Sequence, residues 1–482
     1  MTNNSGVDTK KLTLFGFFAM TASMVMTVYE YPTFASSGFH LVFFLIIGGL
    51  LWFLPVALCA AEMATVDGWE EGGIFAWVGN TLGERWGFAA IFFQWFQITV
   101  GFVTMIYFIL GALSYLLNWP ALNSNPLIKF IGVMIIFWFL TFSQFGGTRN
   151  TAKIAKAGFV FGVLLPAVIL FLLAIIYVVK GNPIHVAISA KALIPDFSKV
   201  NTLVIFVSFI LAYMGVEASA SHVNKLQNPK RNYPLAMFIL VALAIVLNTV
   251  GGLTVASVVP ENQLSLSAGV VQTFHQLVLI NFGSRYDWIT KIIALLLAVG
   301  VMAEVSAWVV GPSEGMYVAA KKGILPKKLA ETNNHNVPIP LVLVQGVIVT
   351  IWAAVLTFGG GGNNVSFLTA VSLTVVIYLV GYLLFFLAYF NLLFKHKDLK
   401  RAYNVPGGQV FKFIVALLGI LTSIGALIIS FFPPSQLTGN SVSEYLLILS
   451  ISFIVTILIP IIIYSLRHNW NSSKSTSNTN SH

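Results

Sequence analysis

Twelve runs of apolar residues, each long enough to cross a bilayer core that needs about 20 residues, dictate what this chain can fold into. They cover approximately residues 12–36, 40–65, 86–117, 127–145, 154–179, 200–222, 234–258, 288–312, 339–358, 366–394, 410–432 and 443–466. A hydrocarbon solvent offers no partner to backbone N–H and C=O groups, so each run is expected as a helix. Composition agrees, with 57% hydrophobic and only 9% charged residues, against roughly 25% charged in soluble domains. The expected class is an all-α membrane protein of twelve spans.

The same composition narrows the chemistry. The 18 prolines and 39 glycines are spread through the apolar runs rather than gathered in a linker, so no separate soluble domain is expected. Lys10-Lys11 before the first run resembles a signal peptide, but no small-residue cleavage site follows, and that span is expected to stay. Cys59 is the single cysteine, which excludes an internal disulfide and argues against a thiol metal site. His222, His275, His335, His396 and His468 lack metal-ligand spacing, and no phosphate-loop, nucleophile-elbow or HExxH pattern occurs. No cofactor is expected.

A net charge of +10 reads as topology rather than nucleic-acid binding. With the N-terminus on the cytoplasmic side, 20 of the 26 Lys and Arg fall on that side, a strong positive-inside bias. Both ends are therefore expected in the cytoplasm. The polar stretch from Asn469 to His482 is expected to be disordered.

Two spans are interrupted. The sixth carries Tyr213-Met214-Gly215-Val216-Glu217-Ala218-Ser219-Ala220-Ser221-His222, where a carboxylate, a glycine and small side chains replace hydrocarbon. The first carries hydroxyls, a carboxylate and a proline between Ala22 and Pro32. The two lie five spans apart, so the second enters the membrane from the opposite side. Corresponding broken helices in two inverted halves point to a midplane transport site.

Four carboxylates lie inside spans, each costing at least about 2.5–3.5 kcal/mol unless partnered, hydrated or protonated. Glu304 is well inside span eight with Trp308 on the same helical face, a carboxylate beside an aromatic platform that suits an ammonium group; a hydrogen bond to a neighbouring helix is the plainer alternative. Glu217 is either a brace for the break or a titrating group. Glu30 lies toward the outer end of span one beside Tyr29, where a solvated rim role and a binding role are both open. Glu62, followed by Asp67, Glu70 and Glu71, reads as a loop tether. Tyr378 and Tyr382 share a face at i, i+4, with Gly381 between them, and serve either substrate or packing. Lys156 reads as snorkelling to the interface rather than as a proton-linked site.

These residues carry a resemblance. The stretches MTASMVMTVYEYPTFASSGF (20–39), LCAAEMATVDGWEEGG (58–73), AYMGVEASASHVNKLQNP (212–229), LSAGVVQTF (266–274) and LTVVIYLVGY (373–382) resemble bacterial glutamate/GABA antiporters of the amino acid, polyamine and organocation superfamily. The resemblance implies a leucine-transporter-type fold of five plus five inverted spans with broken helices 1 and 6, plus two more helices. It implies exchange of extracellular glutamate for intracellular GABA across the bacterial inner membrane, in partnership with a cytoplasmic glutamate decarboxylase, whose reaction consumes a proton and so supports acid resistance. It places Tyr29, Glu304, Trp308, Tyr378 and Tyr382 around the substrate pathway. Ala22, Ser23 and Gly215 are the expected cradle for a substrate carboxyl group at the helix breaks, and Glu217 and Glu30 the expected gating or proton-linked groups. No Lys or Arg lies at mid-span in spans one, six or ten, which fits a net-neutral glutamate.

The implied organisation is a short cytoplasmic segment (1–11), a transporter domain (12–466) and a polar cytoplasmic tail (467–482). Arginine exchangers of the wider superfamily place a tryptophan just before the span-six break, where this chain has Leu211. Better-known members carry a long basic, histidine-bearing C-terminal plug, and with a tail ending at His482 weaker gating by pH is expected. The competing reading is another exchanger of an amino acid and its decarboxylation product, such as aspartate/alanine or tyrosine/tyramine; a sensor or a membrane-embedded enzyme lacks an output domain or catalytic motif.

Overall fold

The computed structural model describes residues 13–69, 73–146, 157–217, 226–359, 362–437 and 439–471. Lys10, Lys11, Glu70, Glu71, Lys156, the stretch Ala218–His222 and the tail beyond Asn471 lie outside them. Every extended element among the described residues is helical: α1 (Leu14–Val25), α2 (Tyr31–Ala35), α3 (His40–Ala64), α4 (Ile74–Leu82), α5 (Glu84–Leu116), α6 (Pro126–Gly146), α7 (Ala157–Val179), α8 (Val200–Leu211), α9 (Pro229–Val258), α10 (Gly269–Phe282), α11 (Asp287–Lys321), α12 (Ile339–Phe358), α13 (Asn363–Lys395), α14 (Gly408–Ile429) and α15 (Asn440–Asn471). Ten of these are long and apolar enough to cross a membrane. The last helix, α15, continues through Asn471.

Burial sorts the helices. Nearly all of α5 is enclosed, and it packs most extensively against α11 and α13. By contrast α14 and α15 expose most of their apolar side chains, Val410 and Leu447 among them, as helices facing lipid do. Where α7 crosses α11, Gly162 and Gly300 let the two backbones touch; a Cβ on either would collide with the other's backbone. Small residues are what permit such close helix contact inside a bilayer. In the first turn of α6, the buried Lys129 ammonium lies 3.1 Å from Asn363 Oδ1 and 3.8 Å from the centre of the Tyr107 ring, tying α5, α6 and α13 together.

Both breaks are present. α1 stops at Val25, with the Met26 N–H donating to the Ala22 carbonyl at 2.9 Å and Met26 itself extended. The chain turns through Thr27–Glu30 and resumes as α2, whose Pro32 occupies a first-turn position where no N–H is needed. The break is thus Met26–Glu30, narrower than the Ala22–Pro32 stretch expected. On the other side, α8 gives way to tight turns in which Tyr213 and Met214 N–H groups bond to Ile210 and Leu211 carbonyls. Gly215 follows at φ +98°, a conformation that glycine takes without Cβ strain.

Candidate functional site

The two breaks face one small cavity of about 40 Å³, room for no more than a few waters. Thr27 and Tyr29 reach it from the first break, and Leu211, Met214 and Gly215 from the second. Glu304 and Trp308 close it from α11, Thr374 from α13, and Gln97, Gly101, Thr104 and Met105 from α5. No Lys or Arg lines it.

Of the residues expected at the site, Tyr29, Gly215, Glu304 and Trp308 are brought together here. Leu211, where arginine exchangers have tryptophan, also lines the cavity. Ala22 does not: it lies within α1, fully buried, with its carbonyl engaged by Met26. Ser23 falls inside α1 as well, and its side chain lies outside the described residues.

Glu217 sits just beyond the second break, buried, and receives three hydrogen bonds from neutral donors. The Tyr378 hydroxyl and the Gln94 amide (3.0 Å) donate to Oε1, and the Tyr382 hydroxyl donates to Oε2 at 2.6 Å. The Gly215 N–H in turn donates to the Tyr382 oxygen at 3.3 Å. Trp52 from α3 packs edge-on to the Tyr382 ring at 4.7 Å. The tyrosine pair therefore holds the backbone of the break in place through Glu217; in this conformation the two hydroxyls, expected at a substrate, are occupied by the protein itself.

Glu30 is not at a solvated rim. It is fully buried, neither carboxylate oxygen has a well-formed hydrogen bond among the described residues, and both Tyr29 and Glu304 lie within electrostatic reach. The reason is the tuck of α2, whose Tyr31 and Phe34 are buried against α9 and its glycines, Gly251 and Gly252. Glu304 keeps one carboxylate oxygen, Oε2, buried and without a partner among the described residues.

Glu62 fulfils the tether reading. Arg401 donates to Oε1 at 2.8 Å, Lys412 to Oε1 at 2.6 Å, Tyr389 to Oε2 at 2.9 Å and the Val405 N–H to Oε2 at 2.9 Å. Those contacts pin the segment between α13 and α14 to the end of α3, helped by the Tyr403 N–H donating to Thr65 Oγ1 at 3.1 Å.

Gln94, Gln97 and Thr104 were missed by the sequence reading. Their signal was available: amides and a hydroxyl in the middle of an apolar run have the same cost that singled out the carboxylates.

The amino acid permease family model matches residues 12–465 of the chain. A glutamate/gamma-aminobutyrate antiporter of Lactococcus lactis subsp. lactis is 67% identical over 460 residues, covering 95% of this chain and 91% of that protein. One of the same name from Lactococcus lactis subsp. cremoris is 68% identical, with the same coverage. An uncharacterized transporter of Legionella pneumophila is 32% identical, over 94% of this chain and 96% of its own length.

Proposed function

The chain belongs to the amino acid permease family, and from that footing we propose that it is a secondary antiporter exchanging extracellular glutamate for intracellular GABA by alternating access. The observation that carries the reading is the identity of two thirds with proteins of that name along nearly the whole chain. The site chemistry supports it. GABA is glutamate without the α-carboxyl, so one site must hold an ammonium group and a distal carboxyl common to both. Glu304 and Trp308 suit the ammonium; the backbone amides and hydroxyls at the breaks suit a carboxyl. A cavity without cationic side chains favours substrates of low net charge over a glutamate anion.

In this reading the ten long helices and the two interrupted segments, 14–35 and 200–217, make twelve spans. Spans one to five and six to ten form the inverted repeats, within a transporter domain at 12–466, and both termini face the cytoplasm of a bacterial inner membrane. Substrate contacts fall to Tyr29, Gly215, Glu304 and Trp308; Tyr378 and Tyr382 act by holding Glu217, which with Glu30 gates the path or carries its proton. Each substrate biases the open states only by differential binding. A cytoplasmic glutamate decarboxylase supplies the GABA, and since decarboxylation consumes a proton, the cycle exports acid equivalents.

The test is uptake of labelled glutamate into proteoliposomes loaded with GABA in acidic buffer. Uptake that requires internal GABA supports the reading. Uptake with alanine or tyramine inside, driven by external aspartate or tyrosine instead, would replace it with the competing exchanger.

A further inference from the structure

Among the side chains lining the cavity between the breaks, two polar atoms are buried and have no partner among the described residues: Glu304 Oε2 and Thr104 Oγ1. The Thr104 hydroxyl is the informative one, because helix threonines ordinarily satisfy themselves by donating back to a carbonyl one turn earlier. Two near it do, whereas Thr141 on α6 and Thr290 on α11 share its unpartnered state among the described residues but do not line the cavity. Thr374 donates to the Ala370 carbonyl at 2.8 Å, and Thr99, one turn below Thr104 on α5, donates to Phe96 at 2.6 Å. Of the other polar lining groups, Gln97 donates to the Gln94 carbonyl at 3.2 Å and Thr27 accepts the Tyr29 N–H at 3.4 Å. Thr104 is 1% exposed, so bulk water does not satisfy it either. Leaving a buried hydroxyl unpaired costs about 1–3 kcal/mol, a cost that a ligand group in the cavity would remove.

We infer that Thr104 is a specificity-determining residue whose hydroxyl reads the α-carboxyl of glutamate. The inference rests on the glutamate/GABA reading above and adds a division of labour within it. Thr104 lines the same small cavity as Glu304 and Trp308. If Glu304 and Trp308 take the ammonium, a donor beside them meets whatever else is bonded to the same carbon. In glutamate that substituent is the α-carboxyl; in GABA it is hydrogen. A hydroxyl there is thus used by the incoming substrate and not by the outgoing one. A site that hydrogen-bonds a substrate group discriminates against the analogue lacking it, so Thr104 tilts the two affinities apart.

Thr104→Val keeps shape and removes the hydroxyl; Thr104→Ser keeps the hydroxyl. In proteoliposomes of the full chain, the KM for external glutamate should rise about tenfold in Thr104→Val, the equivalent of one hydrogen bond to a charged group, and return toward the parent value in Thr104→Ser. The KM for external GABA against internal GABA should stay unchanged. An equal rise for both substrates would mean that Thr104 meets the carboxyl they share, and no rise for either would mean that it meets no substrate; both overturn the inference. A parent protein that does not exchange the two substrates at all sinks the functional reading instead, a separate and distinguishable failure.

Discussion

Two buried carboxylates, Glu62 at the end of α3 and Glu217 just past the second break, have the same side chain and similar burial, yet their surroundings differ in kind. Glu62 is held by two cations, a phenol and a backbone N–H. Glu217 is held by two phenols and an amide, with no cation among its hydrogen-bond partners. A carboxylate enclosed by opposite charge is locked into one arrangement, because removing either side leaves an uncompensated charge. One held by neutral donors leaves no opposite charge behind when it is removed. Both hold backbone in place, the first through opposite charge and the second through neutral donors, and only the second touches the break that lines the cavity.

The largest effect should come from breaking that contrast at Glu62. Glu62→Gln leaves Arg401 and Lys412 facing a neutral amide and should cost about 3 kcal/mol. Glu217→Gln retains a carbonyl acceptor for the phenols and should cost only about 1 kcal/mol. The comparison is the fraction of each variant that remains monodisperse on size exclusion after graded heating in detergent. Equal losses would show that the two environments are energetically alike.

Next in size is a contrast in exchange rate between Glu304 and Glu30. Both have carboxylate oxygens without a partner among the described residues, but Glu304 lines the cavity and Glu30 does not. Glu304→Gln should lower glutamate/GABA exchange by roughly ten- to a hundredfold, the worth of one hydrogen bond to a charged ligand group, and Glu30→Gln by less. Indistinguishable rates at equal membrane abundance would refute the ordering and place Glu30 in the same step as Glu304.

How much of this was legible in the sequence follows from what each signal measures. Ten of the twelve apolar runs came through as helices long enough to span, because hydropathy is one-dimensional, and both breaks came through, since Pro32, Gly215 and in-span carboxylates are local features. The edge of the first break did not come through, because polarity inside a span is not unwinding: Thr21 stays helical by donating to the Phe17 carbonyl at 3.0 Å. Periodicity put Tyr378 and Tyr382 on one face, but what they face is set by Glu217, more than 160 residues away in sequence. Glu30 was misplaced because neighbouring Pro32 suggests a rim, whereas the packing of α2 against α9 carries it inside.

The smallest expected effect is at an exposed carboxylate, and it sharpens the contrast by supplying its limit. Asp196, between α7 and α8, accepts from the Ser198 hydroxyl at 2.6 Å and the Ser198 N–H at 3.0 Å, with the Lys199 ammonium at 3.7 Å. Those hydrogen bonds, and less so Lys199, hold its carboxyl below the usual carboxylate range. A depressed carboxyl contributes its stability above the unfolded-state value and loses it as pH falls through the folded-state one. Here water surrounds the group and screens every partner, so that contribution should be too small to detect. Asp196→Asn should therefore match the parent in heat resistance at neutral and acidic pH alike. A loss seen at neutral pH that vanishes in acid would show that partners alone, without burial, suffice to make a carboxylate structural in this protein, and the distinction drawn between Glu62 and Glu217 would then have to rest on the sign of their partners and not on the medium around them.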